Sequence, residues 1–459
     1  RAEITMATSN VLKDKLAEVG YLDVGTGTEQ HLGISATKLN SALAQLVEEG
    51  YTIHTIDVEQ VGNLGNYTKL KVLAPPDTTK SDVWKNRENI KNVDSYSEDG
   101  GKTYQKVQPP VDVSLDRVAV RYGPEGGAKA DGLIELRRGV DDISLGQKNY
   151  AQVRISVDGT HYIKGMAMYS DDLPDGVDIR FNSNKSSTGN KLDALKPIKR
   201  TAEGEVDPDL PFGAVIRQKT YLDKDGNLKR SALNIVNEEG DWNEWSRSLS
   251  SQMLSKQSVP LAKKQLALGY LESEDDFATI MSLTNPTVRK DLLLKFADSC
   301  DADSVHLKAA ALPRQASKVV LPITTLKDNE IYAPTFKQGE EVVLIRYPHG
   351  GIFEIPTLKV NNKHPDSKRL IGNTAQDAVG INHKVAARLS GADFDGDTVL
   401  VIPNRSKSIR TAPALERLKN FNPEESYPPV PGMARMGYKV KKGESNPMGF
   451  KPGGNTQTE

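Results

Sequence analysis

Three aspartates are crowded into one short segment near the end of this sequence, Asp393-Phe394-Asp395-Gly396-Asp397. Two carboxylates about 4 Å apart repel by roughly 4 kcal/mol at an effective dielectric of about 20, so a bend that gathers three of them needs a cation. Oxygen ligands suit a hard ion such as Mg²⁺, which shares its remaining positions with water and substrate phosphates. Gly396 lets the backbone turn between the second and third carboxylates. The pattern favours a metal site over an acidic surface turn.

The flanking segments extend this pattern in both directions. Upstream, an apolar strand pattern ends in Arg346-Tyr347-Pro348, and the aspartates follow Ser390 and Gly391 after a long connection. Downstream, residues 398–403 have the apolar composition of a buried strand. In order and spacing these residues resemble the largest subunit of multi-subunit RNA polymerases, and also the related cellular RNA-dependent RNA polymerases and single-chain phage polymerases. The resemblance covers about residues 315–405.

This resemblance implies a fold and a role for several residues. In that superfamily the aspartate triad lies on a double-psi β-barrel and holds the catalytic Mg²⁺. It therefore assigns Asp393, Asp395 and Asp397 as catalytic metal ligands. It also implies that Arg346 reaches the sugar end of the incoming nucleotide, where a guanidinium can bind hydroxyls or phosphate. The alternative for Arg346 is a structural salt bridge on a barrel strand.

A second group of strand patterns, between residues 113 and 242, resembles the first double-psi barrel of the RNA-dependent polymerases. There, lysines face the aspartate triad across the cleft. A nucleoside triphosphate carries charge that one or two Mg²⁺ ions neutralise only in part, so such lysines have a chemical purpose. The candidates in this chain are Lys164, Lys185 and Lys191. A solvated basic loop is the alternative, because lysine is mostly a surface residue.

Two departures from the family pattern bear on the template. Bacterial largest subunits usually carry Asn at the positions of Ile345 and Gly391. Serine or glycine before the triad is closer to the RNA-dependent branch. The metal site is unaffected by either change, but both DNA and RNA stay open as templates.

Composition sets the frame for these motifs. The chain has 459 residues, of which 26% are charged and 37% hydrophobic, as in ordinary globular proteins of two to four domains. A net charge of −1 means that any nucleic-acid surface must be local. The single cysteine, Cys300, excludes an internal disulfide and a multi-cysteine zinc site. No apolar run is long enough to predict a membrane span.

The N-terminal residues predict a helix–helix–hairpin unit. Residues 11–19 form one amphipathic pattern, and Ser35 is placed to cap a second helix. Residues 51–56 and 67–72 alternate like the two strands of a hairpin, with the turn at 62–66. This order resembles a winged helix-turn-helix, whose second helix usually enters the major groove of DNA. A winged helix that docks a protein is the alternative.

The predicted fold is α+β, with an N-terminal winged helix followed by two double-psi β-barrels joined by a helical connector. The predicted ranges are a winged helix at 8–73, a linker at 74–112, a first barrel at 113–242, a connector at 243–314, a second barrel with the aspartate loop at 315–410, and a largely disordered tail at 411–459. The chain begins at Arg1 and ends in a Gly-, Asn- and Thr-containing stretch. We therefore expect it to be a piece of a longer protein, and such a piece can be inactive alone.

The resemblance implies a template-directed RNA polymerase that uses Mg²⁺ and nucleoside triphosphates, with DNA as the first choice of template and a single-chain phage type. RNA-templated synthesis is one alternative. Another is a nucleic-acid-binding or virion-associated protein that keeps a polymerase-like barrel. The expected place is the cytoplasm, the host cytoplasm for a phage protein, or the virion, with no membrane partner. Promoters, protein partners and oligomeric state do not follow from the sequence.

Overall fold

The chain divides into two units in the computed structural model. The structure describes residues 2–59, 67–242, 245–249, 257–306, 309–347, 349–413 and 416–418. The first unit comprises Arg1–Pro109, Lys199–Lys219 and Arg417–Glu459, and the second comprises Pro110–Ile198 and Thr220–Glu416. Both contain helices and strands, which confirms the prediction of a mixed α+β fold.

The first unit contains short helices and a small antiparallel sheet. Its helices are α1 (Ala2–Val19), α2 (Thr28–Leu32), α3 (Ala36–Glu48) and α4 (Lys80–Lys85). Its strands are β1 (Leu22–Asp23), β2 (Thr52–Glu59), β3 (Tyr67–Ala74), β4 (Ser95–Tyr96) and β5 (Gln105–Lys106). Strands β1, β3 and β2 form one sheet in that order, and β4 pairs with β5.

Local sequence signals account for α3 and the hairpin that follows it. The Ser35 side chain accepts a hydrogen bond from the backbone nitrogen of Lys38, as the capping pattern predicts. Leu39, Leu43 and Leu46 are buried on one face of α3, against the core of the unit. The order of helices and strands agrees with the prediction, but its identity as a winged helix stays a prediction. The predicted turn at 62–66 lies outside the described residues.

The stretch 74–112, whose composition predicts a linker, contains α4 and the β4–β5 pair. A capping box between Thr79 and Asp82 starts α4. Val83 is fully buried and Val93 is 6% exposed, so both belong to the core of the first unit. A few apolar residues scattered through a long polar stretch are a weak signal, which is why the composition alone did not indicate these contacts.

The second unit begins with a large mixed sheet. Its strands are β6 (Asp112–Val113), β7 (Val118–Arg121), β8 (Leu133–Arg137), β9 (Tyr150–Val157), β10 (His161–Ser170), β11 (Ile179–Asn182), β12 (Lys196–Pro197), β13 (Arg217–Leu222) and β14 (Leu228–Glu238). Strand β13 begins in the first unit and ends in the second. The main path runs β13-β14-β9-β10-β8-β11-β7, with β12 beside β10 and β6 beside β9. These pairings of the described strands form an open path, so a closed first barrel stays a prediction.

Two long helices follow this sheet, α5 (Val259–Met281) and α6 (Pro286–His306). The Asn285 side chain accepts hydrogen bonds from the backbone nitrogens of Thr287 and Val288, at 3.0 and 3.2 Å, and so caps α6 at Pro286. Both helices fall within the stretch whose periodicity predicts a helical connector. Of the helices that the structure describes, none combines the length and the apolar character that a bilayer crossing requires.

A closed barrel completes the second unit. The remaining strands are β15 (Trp245–Leu249), β16 (Ala309–Pro322), β17 (Glu330–Tyr332), β18 (Glu341–Ile345), β19 (Thr357–Val360), β20 (Ala378–Ile381) and β21 (Thr398–Pro403). Two short helices accompany them, α7 (Pro365–Ile371) and α8 (His383–Ala387).

Six of these strands close on themselves in the order β16-β20-β17-β19-β18-β21, because β21 also pairs with β16. Closure removes exposed sheet edges, and the inward-facing Val, Ile and Leu side chains form one buried core. A six-stranded barrel around the aspartate segment is therefore present, while its double-psi topology stays a prediction. The predicted tail lies outside the described residues from 419 onward.

Candidate metal centre

The aspartate segment is the loop between α8 and β21, at the rim of the closed barrel. Phe394 is 2% exposed and belongs to the barrel core, so it anchors the loop between Asp393 and Asp395. Gly396 has φ +122°, and a Cβ at this position would collide with the side-chain amide of Gln152. The positive φ favours glycine at this position, and a larger residue would also displace the Gln152 side chain.

The large sheet of the second unit holds the backbone of this loop. The nitrogen of Phe394 donates to the carbonyl oxygen of Asp131 at 2.8 Å. Gln152 Nε2 donates to the carbonyl oxygen of Asp395 at 3.2 Å. Gly132, with φ +95°, approaches so closely that a Cβ there would lie 2.8 Å from the nitrogen of Asp395. The loop is therefore fixed from two sides, by the barrel core and by the sheet.

The three carboxylates converge as the sequence predicts. One oxygen each of Asp393, Asp395 and Asp397 lies within 4.8 Å of the others, and all three side chains are half-buried. The backbone nitrogen of Asp393 donates to Asp397 Oδ2 at 3.0 Å, which closes the loop on itself. Three oxygen donors at this spacing could hold a metal ion, and a hard divalent cation fits such a donor set.

The electrostatics of the loop reflect the crowding. Burial, together with the neighbouring carboxylates Asp395 and Asp397, raises the pKa of Asp393 to about 8. Burial also acts to raise the pKa of Asp395, but hydrogen bonds from Asp393 and Lys164 outweigh it and leave that pKa below its ordinary value. The opposite directions of these two pKa shifts follow from crowding, because two neighbouring carboxyls are more stable when they share a proton. A bound metal ion would have to displace that proton.

Two basic side chains reach the triad. Lys164 Nζ on β10 lies 2.8 Å from Asp395 Oδ2, and the two side chains are 32% and 24% exposed. Arg346, directly after β18, lies 3.1 Å from Asp397 Oδ2 through one terminal nitrogen. Its other terminal nitrogen donates to the carbonyl oxygen of Ser390 at 3.4 Å. The site thus combines three carboxylates with two cations that solvent can reach. Pro348, the last residue of the predicted Arg-x-Pro element, lies outside the described residues.

No protein-family model and no curated protein sequence matches this chain. Among solved structures, the chain is similar in part to the RNA dependent RNA polymerase QDE-1 from Thielavia terrestris. The alignment covers 67% of this chain and 38% of the polymerase chain, at 15% sequence identity and a TM-score of 0.39. The chain therefore spans well under half the length of that polymerase.

The other two predicted lysines do not contact the triad. Lys185 is exposed, and its Nζ donates to the carbonyl oxygen of Asp193 at 3.4 Å. Its charge acts to lower the pKa of Asp131, although burial raises that pKa overall. Lys191 Nζ donates to the carbonyl oxygen of Val118 at 2.7 Å. Of the three lysines, Lys164 contacts the triad. Lys185 lies at the margin of the site, and Lys191 is hydrogen-bonded to the backbone of β7.

Sequence reasoning missed the residues of the sheet that support the loop, above all Asp131 and Gln152. A signal was present in β9, where polar Gln152, Arg154 and Ser156 alternate with apolar Val153 and Ile155. Such alternation indicates a strand with one face in the apolar core and one polar face outside it. The apolar face packs into the core of the second unit, and the polar face lies toward the aspartate loop.

Proposed function

We propose that this chain is a nucleotidyltransferase that extends RNA on a nucleic-acid template, with Mg²⁺ as its metal ion. The observation that carries the proposal is the convergence of three aspartate oxygens within 4.8 Å beside Lys164, which lies 2.8 Å from Asp395. The resemblance of the aspartate segment and its flanks to RNA polymerases supports the same reaction.

In the proposed reaction, the 3′-hydroxyl of an RNA attacks the α-phosphorus of a nucleoside triphosphate. A bond forms between the 3′-oxygen and that phosphorus, the bond to the β-phosphate oxygen breaks, and pyrophosphate leaves with the pair of electrons. The hydroxyl proton passes to solvent. Mg²⁺, when bound, lowers the pKa of the hydroxyl and neutralises phosphate charge.

The residues of the chain have distinct parts in this scheme. Asp393, Asp395 and Asp397 supply the oxygen ligands for the ion. The Phe394 anchor and the hydrogen bond from Gln152 to Asp395 hold the loop, so that the ligands need little rearrangement. A divalent cation held there would favour the deprotonated form of Asp393, because a carboxyl group must lose its proton to act as a ligand.

The two cations would bind the substrate. In the structure, Lys164 is paired with Asp395 and Arg346 with Asp397. A divalent cation held by those carboxylates would leave both basic side chains available to an anionic substrate. A lysine suits a phosphate as a point charge, whereas an arginine offers a planar set of donors to a phosphate or a sugar hydroxyl. We assign Lys164 to the phosphates and Arg346 to the sugar end of the nucleotide.

DNA is the proposed template, with the phage-type single-chain polymerases as the related class, and RNA is the alternative. The first unit would contact DNA or a partner protein through α3, whose exposed residues include Thr37 and Asn40. Lys185 would act at the margin of the site, because it is exposed and its charge acts on Asp131.

The test is primer extension with nucleoside triphosphates and Mg²⁺, on single-stranded DNA and on RNA templates. The wild-type chain is compared with Asp395→Asn, which removes a ligand charge with little change in shape. Asp225→Asn is the matched control, because Asp225 is exposed on a turn of the same unit. Extension that is lost in Asp395→Asn and kept in Asp225→Asn supports the proposal, and the preferred template decides between DNA and RNA.

A chain that binds nucleic acid but extends no primer on either template would contradict the proposal. The nucleic-acid-binding or virion-associated role would then be favoured. Mn²⁺ binding, followed by electron paramagnetic resonance, distinguishes a loss of metal affinity in Asp395→Asn from a loss of turnover alone.

A further inference from the structure

Three neighbouring strands align polar side chains beside the metal centre. In the register of the sheet, Arg154 on β9 lies opposite Lys164 on β10 and opposite Asn234 on β14. Directly opposed residues of antiparallel strands point to the same face. Because Lys164 reaches Asp395, the side chain of Arg154 belongs to the face of the sheet that carries the aspartate loop.

Arg154 is a buried cation without a carboxylate partner. The residue is 5% exposed, and its Nε is fully buried with no hydrogen-bond acceptor. One terminal nitrogen donates to the carbonyl oxygen of Val153 at 3.1 Å. Within the described part of the chain, no Asp or Glu oxygen lies within ion-pairing distance of its guanidinium. Asp395 is the carboxylate whose charge acts on it.

Another arginine of the same sheet, Arg180, has the ion pairs that are typical of a structural role. Arg180 on β11 is also largely buried, and it forms ion pairs with Glu135 at 2.6 Å and with Asp172 at 3.0 Å. Buried charges in folded proteins are normally paired in this way, because an unpaired one is costly. Arg154 departs from that rule on the face of the sheet that carries the aspartate loop.

We propose that Arg154 is a phosphoryl-binding residue, a third cation of the centre that pairs with a phosphate group of the bound substrate. The identity of the anion rests on the proposed function. The lack of a paired carboxylate at Arg154, among the described residues, does not depend on it. An arginine can give two parallel hydrogen bonds to one phosphoryl group, which a lysine cannot. The phosphate could belong to a nucleoside triphosphate or to the RNA backbone, and the experiment separates these two sources.

The experiment measures equilibrium binding, so it does not depend on turnover. ATP with Mg²⁺ is titrated calorimetrically into the full chain, and a short single-stranded RNA is titrated by fluorescence anisotropy. Arg154→Met removes the charge at similar length, and Arg154→Lys keeps the charge without the planar donors. Arg121→Met is the control, because Arg121 lies on β7 of the same sheet and Glu135 keeps its bond to Arg180.

We expect Arg154→Met to weaken the binding of one anion about tenfold or more, and Arg154→Lys to weaken it less. Loss of ATP affinity alone identifies the triphosphate as the source. Loss of RNA affinity with a shallower salt dependence identifies the backbone, because one fewer phosphate contact releases fewer counterions. Arg121→Met should leave both affinities unchanged.

Two results would overturn the inference. One is unchanged affinity for both ligands in Arg154→Met, and a raised thermal stability beside it would show that the buried guanidinium only destabilises the fold. The other is an equal loss in Arg121→Met. If Arg154→Met does not fold, comparison of Arg154→Lys with wild type decides the matter. Should the chain extend no primer yet bind ATP through Arg154, the phosphoryl site stands and the proposed reaction falls.

Discussion

The backbone nitrogen of Phe394 donates to the carbonyl oxygen of Asp131, so the aspartate loop of the barrel is joined by a backbone hydrogen bond to the sheet beside it. The contact is made at 2.8 Å between residues that are far apart in sequence. It places Gly132 directly under the loop. The geometry of the carboxylates therefore depends on a residue that has no functional group of its own.

Replacing that residue should damage the centre. In Gly132→Ala, the added methyl group would lie 2.8 Å from both the nitrogen of Asp395 and the carbonyl carbon of Phe394, at φ +95°. We expect a loss of about 1–3 kcal/mol in the free energy of unfolding from the backbone strain. Mn²⁺ affinity should also fall, because the added methyl group forces the aspartate loop, and with it the three carboxylates, to move.

Gly139→Ala is the matched control for this prediction. Gly139 also has a positive φ, +76°, but a Cβ there meets nothing within 4 Å. Urea unfolding and Mn²⁺ titration of both variants provide the comparison. Equal Mn²⁺ affinity in the two variants would mean that the close approach of Gly132 does not set the ligand geometry.

The raised pKa of Asp393, about 8, predicts how stability depends on pH in the absence of metal. A carboxyl whose pKa rises on folding stabilises the folded chain fully below its unfolded value, near 3.8, and this contribution is lost as the pH rises through about 8. In EDTA, the urea concentration at the midpoint of unfolding should therefore decrease as the pH rises from about 5 to about 8.5. Added Mg²⁺ should oppose the fall at the alkaline end.

Asp393→Asn tests the origin of that slope. The amide cannot ionise, so most of the alkaline loss should disappear, whereas Asp225→Asn should behave as wild type. A slope that is unchanged in Asp393→Asn would show that the proton is held elsewhere.

Lys164 and Lys185 should differ sharply in their effect on catalysis. Lys164 contacts Asp395, so Lys164→Met should lower kcat for primer extension by about 10²–10³, as the loss of one charged stabilising group commonly does. Lys185→Met should cost less than about tenfold, because Lys185 is exposed at the margin of the site. Single-turnover kinetics at saturating nucleotide make the comparison, and equal losses would refute the distinction.

Lys191 should matter for stability rather than for turnover. Its Nζ donates to the carbonyl oxygens of Val118 and Leu115, at 2.7 and 3.5 Å. Lys191→Met leaves the first carbonyl without its donor, so we expect a loss of about 1–3 kcal/mol in the free energy of unfolding. The rate of extension per folded molecule should stay near that of wild type. A large fall in that rate would show that Lys191 takes part in catalysis.

The sequence predicted those parts of the centre that depend on neighbours along the chain. The spacing of Asp393, Asp395 and Asp397 is local, and so is the capping of α6 by Asn285. The barrel strands were recognisable as short apolar runs with polar turns between them. In each case the deciding interactions join residues that are close in sequence or that share one repeating pattern.

The supporting residues were not predictable in this way. Gln152 meets Asp395 across 243 positions of sequence, and no local pattern states which loop will cover a polar strand face. The same limit applies to Lys191, because its Nζ donates to a backbone carbonyl oxygen that lies nearby only in the folded sheet. The role of a lysine depends on what the fold places beside it, and the sequence alone could not show which of Lys164, Lys185 and Lys191 would reach the triad.

Phe394 has a further consequence for how the site can move. Because this side chain lies in the barrel core, between two ligand residues, the loop cannot lift away from the rim unless the core gives up an aromatic ring. Slow hydrogen exchange at the amides of 393–397 would then report the opening of the whole barrel, with no separate local opening.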